Sequence, residues 1–197
     1  MPIGTIAWVR ERKKGAGMPF ANLVRWSGPA AMVGGALWVV VFVLFALRPS
    51  GSELQPPYRS FEGLGIAVVL SLLLIVAGMV GLHARSKEAY GGLGTAGFVL
   101  ALVGAALSIV SFGSWPLIFI GSYALMLGSL LVGAAAFGAK TLPRWGAVVL
   151  WVGSAAFFVF NTETSAAWFA VPYGVSWVAV GYLLWYGTAS EQPSRVR

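Results

Sequence analysis

Six apolar stretches run along the chain, each closed by polar residues or by proline and glycine. A helix needs roughly 20 apolar residues to cross about 30 Å of hydrocarbon. Inside lipid its backbone groups must find partners within the segment itself. The first stretch runs from Pro29 to about Leu47. It is entered through Ser27-Gly28-Pro29, which predicts Pro29 at a first helical position, where a missing N–H costs nothing. Arg48-Pro49-Ser50-Gly51 ends it. The second runs from about Gly63 to Leu82 and exits at His83, Arg85, Lys87 and Glu88. From Gly91 to Ala139 the chain is apolar for too long to be one helix. Ser114-Trp115-Pro116 divides it, with a capping residue and a proline that favours a fresh start, into spans Gly91 to Phe112 and Trp115 to Ala139. The fifth opens at Thr141-Leu142-Pro143-Arg144-Trp145 and reaches Phe160. The sixth runs from about Ala166 to Gly187, with Pro172 in its first turns predicting a bend.

The pattern predicts an all-α fold, a polytopic transmembrane helical bundle of six spans over residues 29–187. A basic N-terminal segment, 1–28, precedes it and a short tail, 188–197, follows. Composition agrees, since 58% of residues are hydrophobic and 10% charged, against about 25% charged in soluble domains. The net charge of +7 would suggest nucleic acid in a soluble chain, but here the basic residues sit at the ends of the apolar stretches, so no nucleic-acid partner is expected. Basic residues are retained on the cytoplasmic side. With six spans, eleven of the thirteen lie on one side: Arg10, Arg12, Lys13, Lys14, Arg25, Arg85, Lys87, Lys140, Arg144, Arg195 and Arg197. Arg48 and Arg59 lie on the other. Both termini are therefore expected in the cytoplasm and the protein in the inner membrane. No cleavable leader is expected, because Met1 to Gly17 has no apolar core ahead of its basic run. Met18 is a second candidate start; the alternative is a tail, Ile3 to Trp8 with four basic residues, lying on an anionic leaflet.

Little in the sequence carries chemistry. Cysteine and aspartate are both absent, which excludes disulfides, thiolate metal sites, thiol nucleophiles and aspartate-dependent mechanisms. No protein-only metal site is expected, since His83 is the sole histidine and stands beside Arg85 at a helix end. Glu62 and Glu163 are weak catalytic candidates. With Arg59, Asn161 and Thr164 they would form a polar cluster at the outer mouth of the bundle if their helices adjoin. The plainer reading is one capping and one loop carboxylate. The small residues Gly34, Gly35, Gly78, Gly81, Gly97, Gly133, Gly138 and Gly153 mark faces where helices approach closely, inside the bundle or against another membrane subunit. Hydroxyls such as Ser129, Ser154, Tyr173 and Ser176 would line a solute path or bond back to their own helices. Phe157, Phe158, Phe160, Trp168, Phe169 and Tyr173 form either an aromatic belt or a cup for a bound lipid, isoprenoid or carotenoid.

Leu142-Pro143-Arg144-Trp145 opening a helix and Gly181-Tyr182-Leu183-Leu184-Trp185 closing the last one resemble small six-span bacterial integral membrane proteins of uncharacterised activity. The resemblance implies the span count and transfers no catalytic residue. The sequence favours an accessory or structural subunit packing against another membrane protein, a further copy of itself, lipid or pigment. Its rivals are a small-solute transporter or channel, and an outer-leaflet enzyme using Glu62 and Glu163.

Overall fold

The computed structural model describes residues 18–47, 62–110, 115–159 and 165–190, and every regular element among them is helical. Five α-helices follow one another: α1 (Met18–Ala46), α2 (Glu62–Val110), α3 (Trp115–Ala139), α4 (Arg144–Ala156) and α5 (Val171–Ser190). A 3-10 turn, Phe157–Val159, extends α4, and a second, Ser165–Ala170, leads into α5. Four helices are long and apolar enough to cross a membrane, and the stretch Arg144–Val159 is a shorter apolar one.

α2 has 49 residues, about 70 Å if it were straight, but it is not straight. Gly91 adopts φ 61°, ψ −157°, a conformation open to glycine and strained for residues with a Cβ. The ring of His83 stacks on that of Phe98 at 4.1 Å, whereas fifteen residues of continuous helix would separate them by about 22 Å. The chain therefore doubles back at Gly91, and α2 is a hairpin of two arms, 62–90 and 92–110.

Glycine contacts give the rest of the topology. Gly34 lies on Ser71 and Ile75, and Gly81 on Ser27, so α1 and the first arm run antiparallel. Gly28 meets Gly181 and Gly35 meets Gly174, pairing α1 antiparallel with α5. Gly97 meets Gly128 and Gly104 meets Gly121, which sets the second arm against α3. Gly146 against Leu183 and Gly153 against Ser176 complete the circuit through α4 and α5. This ring of antiparallel pairs closes only if the two arms of α2 point in opposite directions, which agrees with the stacked rings. One end of the bundle then gathers Arg25, Arg85, Lys87, Lys140 and Arg144, the basic end. The opposite end is the aromatic end.

Two helix starts differ from the sequence reading, both at prolines. α1 begins at Met18 and carries Pro29 inside it, so residues 18–28 belong to the helix. Proline there removes the bond to the Arg25 carbonyl, but Ser27 and Gly28 are pressed against Gly81 and Gly181, and that packing holds the helix through the break. Pro172 is the second residue of α5, a helix that directly follows a 3-10 segment. The place where the bend is expected is thus one where the helix changes type. α3 spans Trp115–Ala139 as read from the sequence. It ends in a Schellman turn: the Thr141 N–H donates to the Ala136 carbonyl at 3.2 Å, with Lys140 at φ 54° in the place glycine usually takes.

Large apolar side chains cover both interior and exterior. On α2, Ile75 is fully buried while Ile66 is 68% exposed. Val40, Leu70, Val103, Leu127 and Val175 also face outward. A soluble protein rarely presents such a continuous apolar wall, and a lipid medium accounts for it.

Candidate functional site

The most elaborated interior region is an aromatic core in the half towards the aromatic end. Trp38 of α1 stands 4.5 Å from Phe42, and edge-on at 5.5 Å to both Phe157 and Tyr173. Phe157 stacks on Tyr173 at 5.3 Å, and Tyr173 meets Trp177 at 6.3 Å. Tilted and edge-on arrangements suit the ring quadrupoles. The polar atoms of these rings are directed. The Trp38 indole N–H donates to the Ala170 carbonyl at 3.0 Å, tying α1 to the 3-10 segment that precedes α5. Ser129 gives its proton to the Leu125 carbonyl at 2.8 Å. The 3.2 Å contact between Ser129 and Tyr173 is therefore one in which the phenol donates. The Trp177 indole N–H is buried towards the Tyr173 hydroxyl without reaching hydrogen-bond geometry.

Beside this core lies a cavity of about 50 Å³, lined by Trp38, Phe42, Ser108, Ser122, Leu125 and Phe157 among others. That volume admits only one or a few water molecules. Buried serines elsewhere point into their own helices: Ser71 donates to Val68, Ser154 to Leu150 and Ser176 to Tyr173, all backbone carbonyls. Such back-bonding satisfies the hydroxyl locally and leaves it no outward task.

The aromatic cup expected from the sequence divides. Phe157 and Tyr173 turn inward and are buried, whereas Phe158, Trp168 and Phe169 are 40% to 45% exposed on the outer wall. Phe160 lies outside the described residues. Trp38, Phe42 and Trp177 complete the inward group and escaped the sequence reading. Trp38 had left a signal, since a tryptophan in mid-span has no place in an interfacial belt.

Of the eight small-residue positions, Gly34, Gly35, Gly78, Gly81, Gly97, Gly133 and Gly153 face neighbouring segments of the same chain, and Gly138 faces open space. Gly28, Gly104, Gly121, Gly128, Gly174 and Gly181 share that work unannounced, because a close approach depends on the partner helix and not on spacing along one's own. Glu62 is the first residue of α2. Arg59, Asn161, Glu163 and Thr164 lie outside the described residues, as does the convergence of the outer-mouth cluster. Among the described residues, no group of three or more potential ligands is placed to hold a metal ion.

At the basic end the arrangement differs. Arg85 donates to the Leu184 carbonyl at 2.8 Å, which ties the first arm of α2 to α5 nearly two turns before the end of that helix. Tyr90 is 5% exposed, with its ring against Gly94. Its hydroxyl lies near Ser86 and Thr141 but completes a bond with neither. Burial raises the Tyr90 pKa, and the two neighbouring hydroxyls offset part of that. The Thr141 hydroxyl and the His83 Nδ1 are likewise buried without partners. Burial first, and then the ammonium of Lys87, hold His83 below its ordinary 6.5.

Compared with protein-family models, curated proteins and solved structures, the chain matches none.

Proposed function

We propose that the chain is a six-span protein of the inner membrane, with both termini cytoplasmic, and that it serves as an accessory or structural subunit. The reversal of α2 at Gly91 supports six segments over five. The basic residues gathered at one end support the orientation. The observation that carries the subunit reading is the use of the interior. Glycines and serines that would otherwise form a path or a site are committed to internal packing and to own-helix carbonyls. What remains for interaction is the outer wall, where a partner would meet exposed side chains such as Phe137 and Trp151 and the open Gly138.

Transport has one feature in its favour, the cavity beside Ser108 and Ser122. Against it, Ile75, Met79 and Trp177 fill the interior further towards the basic end. Purification from the native membrane in a mild detergent tests the subunit reading. A stoichiometric membrane partner is expected, and a stable lone monomer would overturn it.

A further inference from the structure

We propose that His83 is a proton-operated latch on the α2 hairpin: its neutral ring holds the two arms together at the basic end, and protonation releases them. The geometry is that of a latch. His83 sits on the first arm, Phe98 on the second, and their rings are parallel within 2° at 4.1 Å. The Nδ1 atom is buried and has no partner. A neutral imidazole tolerates this by carrying its proton on Nε2 and leaving an acceptor lone pair at Nδ1. A cationic imidazole must place an N–H there, and a buried donor without an acceptor is costly, more so when charged. Protonation therefore drives the ring out of the stack to reach water.

The charged groups at this end are predominantly cationic and disfavour a further cation, with Glu88 the one carboxylate among them in the described residues. α1 brings Arg25; the first arm Arg85, Lys87, Glu88 and Tyr90; the α3–α4 turn Lys140 and Arg144; and α5 Tyr182 and Tyr186. The second arm brings no titratable side chain. Lys87, one helical turn beyond His83, faces it and repels its charged form. Burial and then Lys87 hold the ring's pKa below its ordinary value, so the ring is neutral and the latch closed near neutrality, and it opens only as pH falls below that ordinary value. The pivot is uncrowded. A Cβ at Gly91 or Gly92 would meet nothing within 4 Å, and the exposed bond from the Thr95 hydroxyl to the Gly91 carbonyl, 3.1 Å, is local to the turn.

The chain has no cysteine, so spin labels can be attached at Glu88→Cys and Val99→Cys alone, in the full chain in lipid nanodiscs. Distances between the labels are then measured at about pH 8 and about pH 4.5, the lower value lying beneath the ordinary histidine range because the ring's pKa is lowered. The latch predicts a single narrow distribution at the higher pH and a second, longer population at the lower one, reversible on return. In His83→Phe and in His83→Gln, neither of which takes a proton, the distribution is the same at both pH values. An unchanged distribution in the parent, or a pH response that survives in either variant, overturns the proposal.

Discussion

Tyr173 and Tyr90 are both buried tyrosines in the same bundle, yet their surroundings follow opposite rules. Tyr173 is fully buried in the aromatic half, packed on Phe157 and Trp38, and its hydroxyl reaches Ser129. Tyr90 is nearly as buried at the basic end, but its hydroxyl completes no bond, and the Thr141 hydroxyl and the His83 Nδ1 beside that end share its condition. Of the four buried polar atoms left without partners among the described residues, three belong to the basic end. One half of the molecule is finished as a core; the other stores polar groups whose satisfaction depends on small movements or on water. Regions that open locally are drawn from the less tightly satisfied parts of a structure, so change is expected at the basic end before the aromatic half yields.

Trp38→Ala makes the largest expected difference between the halves. It deletes the centre of the aromatic cluster and the bond to Ala170, and should cost about 3–5 kcal/mol in thermal or denaturant unfolding in detergent. His83→Ala, which removes a single stacked pair, should cost about 1 kcal/mol. Equal losses would erase the distinction. Close behind comes Gly35→Ala, whose new methyl would stand 2.5 Å from the Gly174 carbonyl oxygen and 2.8 Å from the Val178 nitrogen. Backbone atoms cannot yield as side chains do, so about 2–3 kcal/mol of destabilisation is expected. Gly138→Ala, with open space around it, should be neutral or gain up to about 1 kcal/mol from helix propensity.

The two tyrosines supply a sharper test of smaller size. Tyr173→Phe should lose about 1 kcal/mol with its hydrogen bond, whereas Tyr90→Phe should be neutral or stabilising, because it removes a hydroxyl that is buried and unpaired. The reverse order in matched unfolding measurements would show that the basic end is the better satisfied of the two.

The smallest effect is the pH dependence of stability. His83 is held below its ordinary 6.5 by burial and then by Lys87, so the unfolded chain binds more protons than the folded one in the window just below 6.5. Its contribution is fully present above 6.5 and is lost as pH falls through the folded-state value. Unfolding midpoints should decline between about pH 7 and pH 5 in the parent and decline less in His83→Phe.

The sequence carried the architecture further than it carried the site. Lipid-spanning helices have a required length and closed ends, which is why Trp115–Ala139 can be read from residues alone. Proline was less legible, because Pro29 obeys tertiary packing at Ser27 and Gly28 and not its local preference. The third span was placed to begin at Gly91, yet the reversal there depends on a backbone conformation that no hydropathy pattern reports. Glycine spacing marked faces without naming partners, so Gly35 stood out while Gly174, its counterpart, did not. The aromatic core was half visible: Phe157 and Tyr173 were grouped with Phe158 and Trp168, which share their neighbourhood in sequence but point the other way. His83 was read as an interfacial group at a helix end, and its stack on Phe98 follows only from the hairpin.

The claim on which the account turns is that α2 reverses at Gly91 and so returns both tails to one side of the membrane. Reporters that fluoresce only in the cytoplasm, fused separately to the N-terminus and the C-terminus of the full chain, test it directly. Signal from both fusions is the predicted result, and signal from one with silence from the other at equal expression would contradict it.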